Sequence, residues 1–543
     1  MKSKIQPAAL VAFCAKEVAH PLVAWVNQKI FSPSEAVSHA GCMAQGQETE
    51  ADYLTAQRVL NADRYGGYGV GYCGGSARCG ACGDIQIKGV GLTPLMGSQP
   101  GAPVDPWHSS GTVTMNEAGR EAIWSGICDA ALPFGAVPTL AVVLTGTQCL
   151  RTDTAPGVTV LNRRALIMRA MALRPAHFMR NVHFKTALMP GAGVCEDYQR
   201  VSSMIASLPA ALVDAFGDGL NGESATARVN MGLKLMARRF AAQVAAAFAK
   251  RLYHSSLNCS NIALDGRYLD FGTMTAVSAY RRQAGSPLWP DFWSQHTPLL
   301  RTLTYLLFHV GKYLDCPDIK SLVSPADLTV QFNDALQQRM EIEMLKQTGI
   351  PEQAISVYSP TLRSRAHRCF KAIYTCGANT SFVWRGDDDP SMIGVQPLQS
   401  LGRYDLNDIL IKAAPCRDAV QLQGTVAALI DDAALAAEFC AVYTDLVDWF
   451  LASQPGMDAV MARQFLARQA TRLNADVSHL TREALDAAMA TFEEDPGGLG
   501  AFIDSTICHA KEIMCDEPPE LVMPQGRRIK GLNAQLEALC VTA

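Results

Sequence analysis

His254-Ser-Ser-Leu-Asn-Cys-Ser-Asn-Ile-Ala-Leu-Asp-Gly-Arg-Tyr-Leu-Asp-Phe-Gly-Thr-Met274 is the stretch on which the fold turns. Asp265-Gly266 reads as a two-residue turn joining two short strands, Ile262-Ala-Leu264 and Arg267-Tyr-Leu269. In that register Leu264 opposes Arg267, Ile262 opposes Leu269, and Asn261 opposes Asp270. Opposed cross-strand side chains share a face, with Cβ atoms roughly 5 Å apart. An amide oxygen and a carboxylate so placed can grip one hard cation such as Mg2+. Taken alone, the segment is equally an ordinary surface hairpin with its polar side chains in water.

Working outward, Asp270-Phe-Gly272 has the form of the magnesium-binding triplet of kinases. Tyr65-Gly-Gly-Tyr-Gly-Val-Gly-Tyr-Cys-Gly-Gly75 is glycine-dense. Gly69, Gly71, Gly74 and Gly75 let backbone amides approach phosphate oxygens. Lys88 ends the alternating strand Asp84-Ile-Gln-Ile-Lys88 and can neutralise the same oxygens. Asn116–Ala131 predicts a helix whose Glu121 can pair with Lys88. Each signal has a plain counterpart, since linkers are glycine-rich and any helix offers glutamates. Their order along the chain is that of a protein kinase, although no His-Arg-Asp precedes Asn261.

The combination resembles the selenoprotein O family, kinase-fold proteins that transfer AMP rather than phosphate, over residues 60–280. Lys88-Gly-Val-Gly-Leu-Thr-Pro94 is similar to the family's Lys-Gly-Ala-Gly-x-Thr-Pro. Arg120-Glu121 with Gly135-Ala-Val-Pro-Thr139 resembles its Arg-Glu and Gly-Ile-Pro-Thr, and His254–Gly272 matches its metal segment without gaps. The resemblance implies an α+β, divergent protein-kinase-like bilobal fold that uses ATP with Mg2+, or Mn2+ as the alternative ion. By motif, Lys88 contacts phosphate and pairs with Glu121, Asn261 and Asp270 hold the metal, and Arg78, Arg169 and Arg180 reach the nucleotide. The chain departs from the family at Ser260, which replaces the aspartate before the metal asparagine, a candidate base. It departs again at Thr273, where proline is usual, in an insertion holding Pro100-Gly-Ala-Pro103 and Pro106-Trp-His108, and at Cys540, one position further from the end than the family's redox residue.

Ser260 bears on the acceptor. A hydroxyl must lose a proton to attack phosphorus and benefits from a general base. A carboxylate is already ionised near neutral pH and needs none. The expected chemistry is therefore activation of a peptide C-terminal carboxylate as an acyl-adenylate. A narrower likeness, to the maturation proteins of siderophore-bearing (class IIb) microcins, agrees with this. It implies a small acyltransferase-like partner and a glycosylated siderophore. AMPylation of protein Ser, Thr or Tyr is the alternative, and a non-catalytic nucleotide-binding pseudokinase scaffold is the alternative of another class.

Composition bounds the rest. Net charge is −4, which leaves no electrostatic footprint for nucleic acid. No apolar run reaches spanning length. Seventeen scattered cysteines read as reduced and point to the cytoplasm, although Lys2 to Ala15 mimics a short signal peptide. Cys79-Gly-Ala-Cys82 reads as loop. Residues 1–60 read as a helical, alanine-rich lead-in, 61–190 as a β-rich lobe with the glycine loop, 191–515 as a helical lobe with the metal hairpin, and 516–543 as a tail. Ser224–Tyr253 predicts one helix with Met231, Leu235, Phe240, Val244 and Phe248 on its apolar stripe, and Leu299–Phe308 predicts a buried helix. His254 reads as structural, Trp384–Pro390 as a solvated acidic turn, and Arg363, Arg365, Arg368 and Lys371 as the solvent side of a helix.

Overall fold

The computed structural model describes residues 5–44, 48–98, 110–152, 159–185, 194–220, 224–280, 292–315, 319–377, 402–454 and 459–515. The chain is α+β, with an antiparallel sheet in its first third and helices through the remainder. The strands are β1 (Leu10–Val18), β2 (Leu22–Val26), β3 (Gly41–Cys42), β4 (Tyr53–Asp63), β5 (Cys79–Cys82), β6 (Ile85–Lys88), β7 (Val113–Thr114), β8 (Thr139–Thr152) and β9 (Thr159–Ala170). They run in the order β2-β8-β9-β6-β5-β4-β1-β3, with β7 also paired to β9.

The lead-in is therefore strand, not helix. Its alanines suggested helix, yet Phe13 and Ala15 are buried while Cys14 between them is exposed, a period of two. β1 then pairs with β4 from Leu10↔Asp63 to Lys16↔Gln57, and that tertiary ladder overrides alanine's helix preference. The short α1 (Pro33–His39) is the one α-helix described in that segment, started by a capping box between Ser32 and Glu35. Cys79 and Cys82 likewise lie on strand β5 rather than in a loop.

Alternation along β8 and β9 sorts the two faces of the sheet. Val143, Leu166 and Met168 pack with Phe13, Ile87 and Ala36 on the face that carries α1. Val142, Leu144, Ala165 and Ile167 face α2 (Met115–Ala131) and join the main core. That core continues through α3 (Val194–Phe216), α4 (Ala225–Ala249), α5 (Thr297–Tyr313) and the helices 482–490 and 499–514. α6 (Pro325–Lys346) packs on α4 and leads to a second core among the later helices.

α4 ends eight residues after Ala241, before the stretch read as helix does. Arg251 takes a left-handed φ of 58°, and Leu252–Tyr253 forms β10, paired with β11 (Thr275–Ala276). Its buried stripe is Val229, Leu233, Met236, Phe240 and Val244, whereas Met231 is exposed. α5 is amphipathic rather than buried: Leu299, Leu303 and Leu306 are covered, but Tyr305 and Phe308 face outward. Arg363 and Arg365 do not simply meet solvent, since they pair with Glu341 and Glu438. The insertion at 99–109, the acidic run Trp384–Pro390 and the tail with Cys540 lie outside the described residues.

Candidate functional site

Alternation in β6 also builds the site. Ile87 points to the α1 face, so Gln86 and Lys88 point to the α2 face. The β6–β9 register sets Gln86 beside Arg169 on the same side, and the β5–β6 register sets Cys79 beside Lys88. α2 begins at its N-cap, where Thr114 Oγ1 accepts the Glu117 amide, and it presents Glu117 and Glu121 one turn apart. Lys88, buried at 1 % exposure, bonds Glu121 and lies 2.6 Å from Asp270 Oδ1 and 3.2 Å from Glu117 Oε1. Arg78 donates to the same Glu117 Oε1 at 2.8 Å and to Oε2 at 3.3 Å, and Arg169 Nη1 stands 3.6 Å from Glu121. Arg120 ties α2 to Asp486 and to the Gly272 carbonyl.

The hairpin differs from its sequence reading by one residue. Gly266 takes φ 94°, its amide bonds the Ala263 carbonyl, and the Ala263 amide bonds the Arg267 carbonyl. This is a three-residue turn with glycine in the left-handed position. Ile262 consequently opposes Tyr268, and the Leu269 amide bonds the Asn261 carbonyl. Direct opposition of Asn261 and Asp270 is thus corrected, because a slip of one residue exchanges the faces. Asp270 leaves the strand at φ 63° with its carboxylate on Lys88. Asn261 donates to the Ser256 carbonyl at 2.8 Å, while its Oδ1 is 3.1 Å from the Ser260 hydroxyl. Ser260 Oγ also lies 2.8 Å from Asn258 Oδ1.

The glycine loop folds back onto this hairpin. The Cys259 thiol donates to the Tyr68 carbonyl at 3.0 Å, and the Gly67 amide donates to the Arg180 carbonyl at 3.1 Å. Gly67 and Gly69 have positive φ, and a Cβ on Gly69 would meet Asn258 at 2.8 Å. Gly71 has open space around it, Gly74 lies against Phe184, and Gly75 bridges Arg64. Arg180 does not join the Lys88 cluster through its ion pair; its Nε faces Asp197 at 3.8 Å. His254 is buried, with Nε2 donating to the Leu269 carbonyl at 3.1 Å.

A second buried network supports the first and was not read from the sequence. His177 Nδ1 accepts the Arg174 amide at 3.0 Å, so its Nε2 carries the proton donated to Asp63 at 3.0 Å. Gln86 links this pair to Arg169 and Arg174, donating to Asp63 and accepting from both guanidinium groups. Arg174 reaches on to the Ser260 carbonyl at 3.0 Å. Glu117 was missed too, although its spacing of four from Glu121 was visible.

Charge follows geometry. Burial would raise the Asp270 carboxyl, but Lys88, Arg169 and Arg78 hold it well below the usual carboxylate range. Burial raises Glu121 against the opposing pull of Lys88. Asp270 is therefore the carboxylate that stays ionised and supplies a hard oxygen donor, while the Asn261 amide oxygen is engaged by the Ser260 hydroxyl. Among the described residues no three His, Cys, Asp or Glu side chains group to hold a metal, so a cation here needs oxygens from a ligand or water. Arg169 Nη1 is buried without a hydrogen-bond partner among those residues, which suits an incoming anion. A separate open groove of about 340 Å³, lined by Asp129, Phe134, Arg239, Asp265 and Arg267, lies at the hairpin tip and holds none of these groups.

No protein-family model matches the chain, and no curated protein matches it. Among the described residues no helix is long and apolar enough to cross a membrane.

Proposed function

We propose that the chain binds Mg-ATP at a kinase-like site and transfers AMP to a peptide carboxylate. The observation that carries this reading is the meeting of Lys88 with Glu121 and Asp270, brought from β6, α2 and the hairpin. Lys88, Arg78 and Arg169 are the cations available to triphosphate oxygens, and Glu121 orients Lys88. Asp270 and Asn261 would hold Mg2+, which supplies charge neutralisation of the phosphates. A phosphate arriving at Lys88 replaces its contacts with Asp270 and Glu117, freeing Asp270 for the cation.

Ser260 favours a carboxylate acceptor. Its hydroxyl lies 2.8 Å from the Asn258 and 3.1 Å from the Asn261 amide oxygen, both acceptors, and its single proton is held between them. A hydroxyl used in this way does not serve as a base for a substrate hydroxyl. A carboxylate oxygen instead attacks the α-phosphorus, forming an O–P bond as the bond to the β-phosphate bridging oxygen breaks. Pyrophosphate leaves and no proton moves. A second nucleophile, a sugar hydroxyl of a glycosylated siderophore in the narrower reading, then attacks the acyl carbon. The ester C–O bond forms as the acyl bond to the phosphate oxygen breaks, and AMP leaves while the hydroxyl proton passes to solvent. A small acyltransferase-like partner would deliver that nucleophile.

Mg-ATP labelled at the α and γ positions tests the reading. With a candidate peptide, pyrophosphate release is expected and hydroxylamine should trap the acyl group. Asp270→Ala should lower release by about 10²-fold or more while the protein stays folded. ADP as product would overturn adenylyl chemistry, stable AMP on a hydroxyl would overturn the carboxylate acceptor, and tight binding without turnover would leave a scaffold.

A further inference from the structure

α5 carries a face that is exposed among the described residues. Arg301, Tyr305, Phe308 and Lys312 follow one another at spacings of four, three and four, which places them on one stripe. Tyr305 is 49 % and Phe308 64 % exposed, high values for aromatic side chains on a helix whose Leu299, Leu303 and Leu306 are buried. Their rings belong to a connected series. Phe308 and Tyr305 lie 5.3 and 6.4 Å from His309, His309 lies 6.2 Å from Tyr313, and Tyr313 lies 5.4 Å from the exposed Tyr198 of α3.

Both ends of the stripe are cationic, and one end adjoins the site. The Arg301 guanidinium lies 5.0 Å above the ring of Tyr68 in the glycine loop. His309 Nε2 accepts the Arg180 amide at 3.1 Å, which fixes the middle of α5 against the base of the same loop. Arg180, Arg200 and Lys312 surround His309 closely enough that, after burial, their charges all lower its imidazole. Apolar rings between two cations match an anionic ligand that also bears apolar groups. From Arg301 to Lys312 the helix runs about 16 Å, the reach of about five extended residues.

We propose that this stripe docks the peptide substrate through an extended, acidic segment bearing aliphatic or aromatic side chains, led along α5 toward the glycine loop. The inference rests on the adenylyl-transfer reading for the identity of the peptide as substrate, and the binding itself is measurable without ATP.

The probe is a fluorescein-labelled peptide alternating aspartate with leucine and phenylalanine, titrated with the full chain and followed by anisotropy. Saturable binding is expected, and Phe308→Ser and Lys312→Glu should each weaken it about tenfold with melting unchanged. A lysine-for-aspartate version of the peptide should not bind, and Asp270→Ala should bind as the parent does. Affinity unaltered by both surface substitutions would overturn the proposal. So would binding to phosphatidylserine vesicles in place of the peptide, or a dimer in sedimentation that Phe308→Ser dissolves. Peptide binding without any pyrophosphate release would overturn only the adenylyl reading, and release without stripe-dependent binding would overturn only the docking surface.

Discussion

Asp63 and His177 lie fully buried at the edge of the site, where a single proton decides their mutual fit. Burial alone would raise the Asp63 carboxyl, but the His177 hydrogen bond and the charge of Arg174 bring it far below its ordinary range. Burial lowers His177 against the pull of Asp63, in keeping with the neutral tautomer set by the Arg174 amide. Both folded-state values are thus depressed. Their contribution is fully present above the unfolded histidine value of 6.5 and is lost as pH falls, first through His177 and then through Asp63. Urea unfolding should show stability declining from about pH 6.5 downward, and Asp63→Asn should cost about 3 kcal/mol at pH 7. The substitution should also steepen the decline below 6.5, because no carboxylate then opposes the burial that lowers His177, and remove the further loss below the ordinary aspartate range. A pH profile unchanged by the substitution would remove the pair from the account. Glu117 matters at the same scale, since it couples Arg78 to Lys88 and gives the cluster a third carboxylate.

At the scale of elements, much of the site was legible because alternation in strands is a strong signal. Asp84-Ile-Gln-Ile-Lys88 announced that Lys88 shares a face with Gln86, and the helix carrying Glu121 was placed to within one residue. The hairpin was found, but not its register. Asp-Gly favours two turn forms of different length, and Gly266 adopts the left-handed place in the longer one. The alanine-rich lead-in misled because its strands are specified by partners far along the chain: β1 by β4, and β2 by β8. The network of Asp63, Gln86, Arg174 and His177 had no local signature at all, as its members come from separate strands and a loop. The glycine loop offers a test of its docking. Gly69→Ala forces a side chain onto a φ of 87° and against Asn258, a strain of about 1 kcal/mol. Peptide mass mapping should then show Cys259, whose thiol burial pushes up to about 12, alkylated about fivefold faster. An unaltered rate would mean that the loop does not cover it.

For the whole molecule, the main core decides how the parts behave. It joins Trp25 of β2, the inner face of α2, the long helices α3 to α5 and Ile503 and Met514 near the end of the described chain. Further ties cross the same boundary, with Asn162 and Arg163 bonded to Glu493, and Arg120 to Asp486. A sheet half and a helical half that share one core should unfold together. Tryptophan fluorescence and far-ultraviolet circular dichroism are expected to give coincident denaturant transitions, and two separated transitions would show independent domains. The indole of Trp25 donates to Asp504 at 2.8 Å across 479 positions of sequence. A ribosome adding about 5 to 20 residues each second spans that gap in about 25 to 100 s. For that interval the early strands stand complete in sequence yet lack the helix 499–514 that closes over them, so the covering of the sheet's Trp25 edge waits on chain made long after it.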